Sequence, residues 1–177
     1  TETMAKDTTL TGVERTFDPD EIIVSKTDLK GHITYANDVF LRLADMTEKE
    51  AVGAPHSVIR NPEMPRAVFK LLWDTIQEKK EIFAYVVNRS KNGDHYWVLA
   101  HVTPSFDSSG NMVGYHSNRR VPDRRIVDDI IRPLYKDLLA EENKHTNRKE
   151  GLDASTGMLL NLLKEKGVGY DEFVLTL

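Results

Sequence analysis

The chain has 177 residues, of which 40% are hydrophobic and 29% charged, and its formal net charge at pH 7 is −4. This composition is that of a soluble globular protein with room for one domain and an appendage. The negative charge disfavours nucleic acid as a partner, and no apolar run approaches the roughly 20 residues of a membrane span. The absence of Cys excludes disulfides and thiolate metal sites, and with no signal peptide it favours the cytoplasm.

The first part of the chain, residues 1–20, is polar with isolated apolar side chains, and we expect an N-terminal cap that could include a short helix. Two β-rich runs follow, at 21–27 and 32–36. Gly31 lies between them and can take the positive φ that a tight turn needs. These runs predict a β-hairpin.

Helical signals follow the hairpin. Asn37 can cap a first helix that contains Phe40, because its side chain can accept a hydrogen bond from a backbone N–H. Thr47 and Glu50 have the spacing of a capping box for a second short helix, which Gly53 ends.

Three prolines interrupt the segment 54–65, which excludes one regular helix there. From Pro65 the apolar spacing predicts a longer helix that ends near Lys80, where basic residues suit a helix C-terminus. Trp73 lies on this helix beside its main apolar stripe.

The strongest local signal is Asn92-Gly93, which stands between β-rich runs at 82–88 and 96–103. Asn-Gly favours a two-residue type I′ hairpin, because that turn needs positive φ at both central residues. A third run at 112–118 follows another turn. Together the three runs predict an antiparallel meander.

The C-terminal part reads as helical. Asp123 can cap a helix over 126–139, which Pro133 should kink or split. The very polar segment 141–150 predicts a linker. A second amphipathic helix is expected over 158–166, and a strand or an ordered tail over 168–177.

These elements predict an α+β fold, in which a five-stranded antiparallel sheet carries a helical flap over a ligand pocket. We divide the chain into an N-terminal cap (1–20), a central domain (21–122) and a C-terminal helical extension (123–177). The order of elements in the central domain resembles a PAS domain. Ile33–Phe40 resembles the start of a PAS core. More specifically, two motifs resemble the PAS sensors of bacterial aerotaxis receptors: Pro55–Trp73 and Asn88–Val98.

The resemblance implies a protein that binds FAD non-covalently and reports redox or oxygen status to a signalling partner, such as a chemotaxis receptor or transducer. The family usually has His-Pro-Asp where this chain has Asn61-Pro62-Glu63. The residues expected around the cofactor are Asn37, Phe40, His56, Arg60, Asn61, Glu63, Phe69, Trp73, Asn88, Tyr96, Trp97 and Asn118.

Each of these residues also has a structural interpretation. Trp73 could be ordinary core, or it could form a wall for a flavin ring. Arg60 could be a solvated loop residue, or a bidentate clamp on a phosphate or carbonyl. Asn is disfavoured in strands, so Asn88 and Asn118 point to a polar ligand or to a sheet edge. Asn37 could cap a helix and also face the ligand.

Other classes of function have less support. Haem would need His56 as its axial ligand, because the helix after Pro65 has no His. No metal-ligand spacing or catalytic motif is present, so we expect a protein that is not an enzyme. An enzymatic flavoprotein is a distant third hypothesis. The main alternative is a cofactor-free PAS module for interaction or dimerisation, and the sequence leaves open whether the chain forms a homodimer.

Overall fold

A computed structural model of the protein describes residues 9–177, and its centre is a five-stranded antiparallel sheet. The spatial order of the strands is β2-β1-β5-β4-β3, so the first hairpin and the meander join through β1 and β5. This confirms the predicted α+β fold. The strands are β1 (Ile23–Asp28), β2 (Ile33–Ala36), β3 (Ile82–Arg89), β4 (His95–Phe106) and β5 (Met112–Arg120).

Four helical segments between β2 and β3 form a flap over one face of the sheet, which we call the inner face. Its two predicted caps are both present, since Asn37 accepts from the Phe40 N–H and Thr47 forms a capping box with Glu50. The segments are α1 (Asp38–Ala44), α2 (Glu48–Ala51), a 3₁₀ helix (His56–Ile59) and α3 (Arg66–Gln77).

The flap helix α3 buries Ala67, Val68 and Ile76. Pro65 stands just before it, in an extended conformation that suits the entry to a helix. Because prolines keep 60–65 from forming a helix, the chain crosses the sheet here without close-packed helical side chains. The result is a space between α3 and the inner face.

The turn between β3 and β4 differs from the predicted type. Only Gly93 has a positive φ, of 100°, whereas a type I′ turn would also need one at Asn92. The Gly93 N–H donates to the Ser90 carbonyl, and the Ser90 N–H donates to the Asp94 carbonyl. This is the longer hairpin loop that ends in a left-handed glycine, and it places Asp94 where Arg15 can pair with it at 2.9 Å.

The C-terminal extension is helical throughout and covers the outer face and the free edge of β3. The helix around Pro133 is not split, because it runs on from Arg124 to Asn143, but it contains a π-helical turn just before that proline. The segments are α4 (Arg124–Ile126), the π turn (Val127–Ile131), α5 (Arg132–Asn143), α6 (Arg148–Lys166) and α7 (Tyr170–Leu175).

One sequence prediction outside the central domain is wrong. The segment 141–150 is not a linker, because α5 runs to Asn143 and α6 begins at Arg148; its Glu142 is buried between helices. Of the two alternatives for 168–177, a strand or an ordered tail, the strand is not formed: the segment contains the helix α7, whose Asp171 accepts from the Phe83 N–H on the edge strand. The described part of the N-terminal cap, 9–20, is extended along the β3–β4 hairpin and contains no helix. The first eight residues of that cap lie outside the described part, so a short helix there stays a prediction.

Candidate cofactor site

A cavity of about 290 Å³ lies between the inner face of the sheet, the 3₁₀ helix and α3. Its floor is formed by alternate residues of β1, β3, β4 and β5, and its roof by the side of α3 that carries Phe69, Leu72 and Trp73. Trp73 is 37% exposed and packs edge-on against Tyr115 at 5.5 Å, so it stands at the rim of the cavity.

Five of the residues expected around the cofactor line this cavity. They come from the 3₁₀ helix and the residue after it, from α3 and from β3: His56, Arg60, Phe69, Trp73 and Asn88. The Arg60 backbone forms a β-bridge with Asn88, and this bridge holds the loop against the sheet.

Two more of the expected residues lie on the outer face. Ala100 and Val102 of β4 line the cavity, so Trp97 must point away from it, because side chains alternate along a strand. Trp97 instead packs against Tyr135 of α5, at 6.1 Å between ring centroids. The same alternation excludes Asn118, since its neighbours Ser117 and Arg119 face the cavity.

The remaining five residues support the site or lie outside it. Phe40 and Tyr96 are fully buried beside the cavity floor. Asn37 uses its whole amide locally: it accepts from the Val24 and Phe40 N–H groups and donates to the Ile22 carbonyl, so it joins β1 to α1.

Asn61 and Glu63 form the turn that leads into α3. The side-chain oxygen Oδ1 of Asn61 accepts from the Glu63 N–H at 2.8 Å, while the Glu63 side chain is exposed. Neither residue lines the cavity, although the other atom of the buried Asn61 amide, Nδ2, has no partner among the described residues.

A buried arginine that the sequence analysis missed dominates the electrostatics of the floor. Arg119 of β5 is only 3% exposed, and no carboxylate in residues 9–177 pairs with it. Its guanidinium donates to the Ser25 hydroxyl and lies 5.3 Å from the centre of the Phe40 ring. Burial lowers the pKa of Arg119 to about 10, which leaves it charged at neutral pH.

His56 lies beside this arginine and is neutral. Burial, followed by the positive charges of Arg119 and Arg60, lowers the pKa of His56 to about 3. Its Nε2 is 3.2 Å from the Ser25 hydroxyl. Because that hydroxyl already accepts from Arg119, its own proton is free to be donated to Nε2, which makes Nε2 an acceptor.

Three polar atoms at the floor are buried without a partner among the described residues: Asn88 Nδ2, Tyr96 Oη and Arg119 Nε. All three can donate a hydrogen bond. An unpaired buried donor costs about 1–3 kcal/mol, so a cluster of them is unusual in a protein interior. A ligand that presents acceptors to the floor would relieve this cost.

The sequence contained a signal for the missed residues. Tyr115, Ser117 and Arg119 alternate along β5 with residues of the other face. Ser25 and Thr27 do the same on β1, which pairs with β5 in register. Once one residue of a strand is assigned to the cavity, every second residue belongs to it.

The charged residues around the cavity are basic. Within the described part of the chain, no group of three or more His, Asp or Glu residues could hold a metal ion. The walls of the cavity include three cations, Lys30, Arg60 and Arg119, but no Asp or Glu. Across residues 9–177 no helix is both long and apolar enough to cross a bilayer.

The sheet order, the helical flap and the cavity between them define a PAS fold. Residues 33–119 match the family model described as PAS fold, and this part of the chain belongs to that family.

Among known proteins, the chain is similar to the aerotaxis receptor of Escherichia coli (strain K12). The two are 42% identical over 122 residues, which cover 68% of this chain and 24% of the receptor. The chain thus spans about a quarter of that relative's length. The predicted resemblance to the PAS domains of aerotaxis receptors is confirmed.

Solved structures agree on the fold. The dark structure of the blue-light photoreceptor Aureochrome1 LOV has a TM-score of 0.55 at 24% identity, covering 65% of this chain and 86% of that one. A light-oxygen-voltage domain studied with a flavin analogue also has a TM-score of 0.55. It is 17% identical and covers 66% of this chain and 87% of that one.

Proposed function

We propose that the chain is a PAS sensor that binds FAD in the inner-face cavity and reports redox or oxygen status to a signalling partner. The observation that carries the proposal is the cavity floor, where Asn88 Nδ2 and Nε of the buried cation Arg119 lack partners, as does Tyr96 Oη beside the floor, and where no carboxylate pairs with Arg119. Such a floor fits the polar edge of a flavin ring, which presents carbonyl oxygens and ring nitrogens as acceptors.

The remaining walls also fit a flavin. Phe69, Leu72 and Trp73 on α3 offer an apolar and aromatic roof to a flat ring, opposite the polar floor. Asn88, Tyr96 and Arg119 would hold the ring edge, and the neutral His56 would contact it without adding charge. When bound, the flavin supplies the redox chemistry; the residues of this chain bind it, orient it and exclude water.

The resemblance to aerotaxis receptors supports FAD and a chemotaxis-type receptor or transducer as the partner. We propose that the protein acts in the cytoplasm and is not an enzyme, because the residues that line the cavity include no carboxylate to act as a general acid or base. Its output would then be a change of contacts rather than a product.

The absorption spectrum of the purified protein tests this function directly. We expect a yellow protein that releases an adenine-containing flavin on denaturation, at close to one per chain. A Soret band would instead identify haem, with His56 as its ligand. A colourless protein that takes up no added flavin would favour the cofactor-free interaction module and overturn the proposal.

A further inference from the structure

The exposed end of the cavity carries an arginine whose charge is not neutralised. Arg60 lines the cavity and stacks on Phe69, with its guanidinium carbon 4.2 Å from the ring centre. Stacking fixes the plane of a guanidinium and leaves the N–H groups along its edges available. Within residues 9–177, Arg60 has no ion pair with a carboxylate.

A second arginine approaches from the C-terminal extension. Arg148 begins α6, and its backbone carbonyl accepts from Nη1 of Arg66 at 2.9 Å, which ties the start of α6 to the start of α3. Arg66 has a counter-ion in Glu142, at 3.8 Å. Arg148 has none in the described part of the chain, and its side chain is exposed.

The two unneutralised charges influence each other. Partial burial lowers the pKa of Arg60, and the charge of Arg148 lowers it further. Like charges disfavour each other, and an anion bound by both would relieve this cost. Guanidinium groups bind phosphate oxygens in a planar, bidentate manner, so a phosphate is an anion that two arginines could share here.

The size of the cavity places that phosphate outside it. Its volume of about 290 Å³ is at the lower end of ligand pockets, which are typically about 300–1,000 Å³. The polar floor would hold the ring, so the phosphate tail of a flavin nucleotide must leave through the exposed end of the cavity.

We propose that Arg60 and Arg148 together bind the phosphate groups of the flavin nucleotide, so that helix α6 of the C-terminal extension completes the cofactor site. This inference rests on the flavin-binding function proposed above. It assigns a ligand-binding role to a helix outside the part of the chain that matches the PAS family model, which ends at residue 119.

Riboflavin and FAD separate the phosphate site from the ring site, because riboflavin has the same ring and no phosphate. Flavin-free protein is titrated with each ligand at fixed ionic strength, and binding is followed by the change in flavin fluorescence. We expect the wild type to prefer FAD. Arg148→Gln should weaken FAD about tenfold or more, as expected for the loss of a charge-assisted contact, and leave riboflavin unchanged.

Two control variants locate the effect. Lys149→Gln removes the same charge from the same turn of α6, and we expect it to leave both affinities unchanged. Lys30→Gln removes the other exposed cation of the cavity wall and tests that competing source of charge; we expect it to reduce the preference for FAD less than Arg148→Gln does. The Arg66 contact uses the Arg148 carbonyl, so Arg148→Gln keeps the backbone link between α3 and α6.

The outcomes separate this inference from the proposed function. Equal weakening of FAD and riboflavin by Arg148→Gln would show an indirect effect and overturn the phosphate role. An unchanged FAD affinity would also overturn it, as would a loss of FAD preference in Lys30→Gln as large as in Arg148→Gln. If the wild type binds both ligands equally, flavin binding stands and only this inference fails. If it binds neither, the proposed function is wrong and the inference falls with it.

Discussion

The two faces of the central sheet are built from the same strands and have opposite packing. The outer face is closed: Trp97 packs on Tyr135, and the Tyr135 hydroxyl donates to the Tyr85 carbonyl and lies 3.0 Å from the Tyr170 hydroxyl. The inner face leaves a cavity of about 290 Å³ over a floor with three unpaired donors.

This difference indicates which face is structural and which is functional. Proteins satisfy nearly all of their buried polar groups. On the outer face the buried hydroxyls of Tyr135 and Tyr170 are paired, although Glu14 Oε1 and Thr156 Oγ1 of α6 are buried without a partner among the described residues. Unpaired groups that collect on one face, around a cavity, are therefore best explained by a ligand. The comparison predicts that changes on the outer face lower stability, whereas changes on the inner face lower ligand affinity.

A buried carboxylate joins the two layers. Glu142 of α5 is 3% exposed, and its Oε1 accepts from the Ala67 N–H in the first turn of α3 at 3.0 Å and from the Ser155 hydroxyl of α6 at 2.8 Å. A carboxylate at this position also suits the positive end of the α3 dipole. The roof of the cavity is thereby attached to the extension.

The largest effect is expected from the closed face. Leu138 of α5 is fully buried, so Leu138→Ala should lower the free energy of unfolding by about 2–5 kcal/mol. Flavin affinity of the folded protein should be unchanged. Urea denaturation and flavin titration measure the two quantities. Leu160→Ala, at a leucine that is 47% exposed on α6, is the matched control and should cost little. Equal losses in both variants would contradict the assignment of α5 to the core.

The second-largest loss of stability is expected at Glu142, which joins the two layers. Glu142→Ala leaves the Ala67 N–H and the Ser155 hydroxyl without their acceptor, and should cost about 1–3 kcal/mol of stability. Glu142→Gln keeps an acceptor oxygen and should cost less. Glu141→Ala removes a neighbouring carboxylate whose partner, Lys144, is on the surface, and should have almost no effect in urea denaturation. If Glu141→Ala costs as much as Glu142→Ala, the buried contact does not stabilise the junction.

On the inner face, Arg119→Met should lower flavin affinity and leave stability almost unchanged, which is the opposite of the effect expected on the outer face. Replacing a buried ion by an apolar side chain of similar length is often neutral or stabilising, so the flavin-free protein should lose little stability. Flavin affinity should fall by the roughly 1.5–3 kcal/mol of a hydrogen bond to a charged group, which is about tenfold or more. Arg120→Met, at the exposed next residue, is the control. Unchanged flavin affinity in Arg119→Met would remove the main argument for a ligand at this floor.

A smaller effect is expected at the rim. Trp73→Ala should lower flavin affinity by about 1 kcal/mol or more, because a stacked aromatic contributes beyond its buried area. Its stability cost should be small, since the side chain is 37% exposed. Trp73→Phe keeps an aromatic surface and should retain most of the binding. Wild-type flavin stoichiometry and affinity in Trp73→Ala would show that Trp73 is not a wall of the site.

The last prediction concerns the loss of stability that His56 causes at acidic pH. The pKa of His56 is about 3 in the folded protein, below the ordinary value of 6.5, so the unfolded chain takes up a proton first as the pH falls. His56 should therefore lower stability as the pH drops from about 6.5 toward 3, with no contribution at higher pH. The free energy of unfolding, measured by urea denaturation at several pH values in that range, should fall less steeply with decreasing pH in His56→Gln than in the wild type. An identical dependence on pH in the two proteins would show that His56 is not buried in its neutral form.

Local signals in the sequence determined much of the fold. The cap that Asn37 gives to α1, the Thr47–Glu50 capping box and the turn at Gly31 act on backbone groups within a few residues, so they could be predicted from neighbours alone. The position of the Asn92-Gly93 turn was predicted for the same reason. Its type was not, because the loop also depends on Asp94, which pairs with the distant Thr11 and Arg15. The bonds of Asn37 to Ile22 and Val24 of the β1 region could not be predicted from neighbours either.

The site was predicted only in part, because a strand assignment does not say which face a residue occupies. Arg60, Trp73 and Asn88 were found through motifs, whereas Trp97 and Asn118 fall on the outer face by register alone. Arg119 was missed because its burial depends on strands and a flap that are distant in sequence.

The C-terminal extension shows most clearly what only the tertiary structure decided. The polarity of 141–150 predicts a solvated linker, and by composition that prediction is sound. Glu142 is buried nevertheless, because its partners Ala67 and Ser155 lie 75 and 13 residues away and are brought together only when α3, α5 and α6 pack. Helix caps and turns are set by contacts that the chain makes with itself within a few residues. A buried charge is set by the partners that enclose it, and those come from the whole fold.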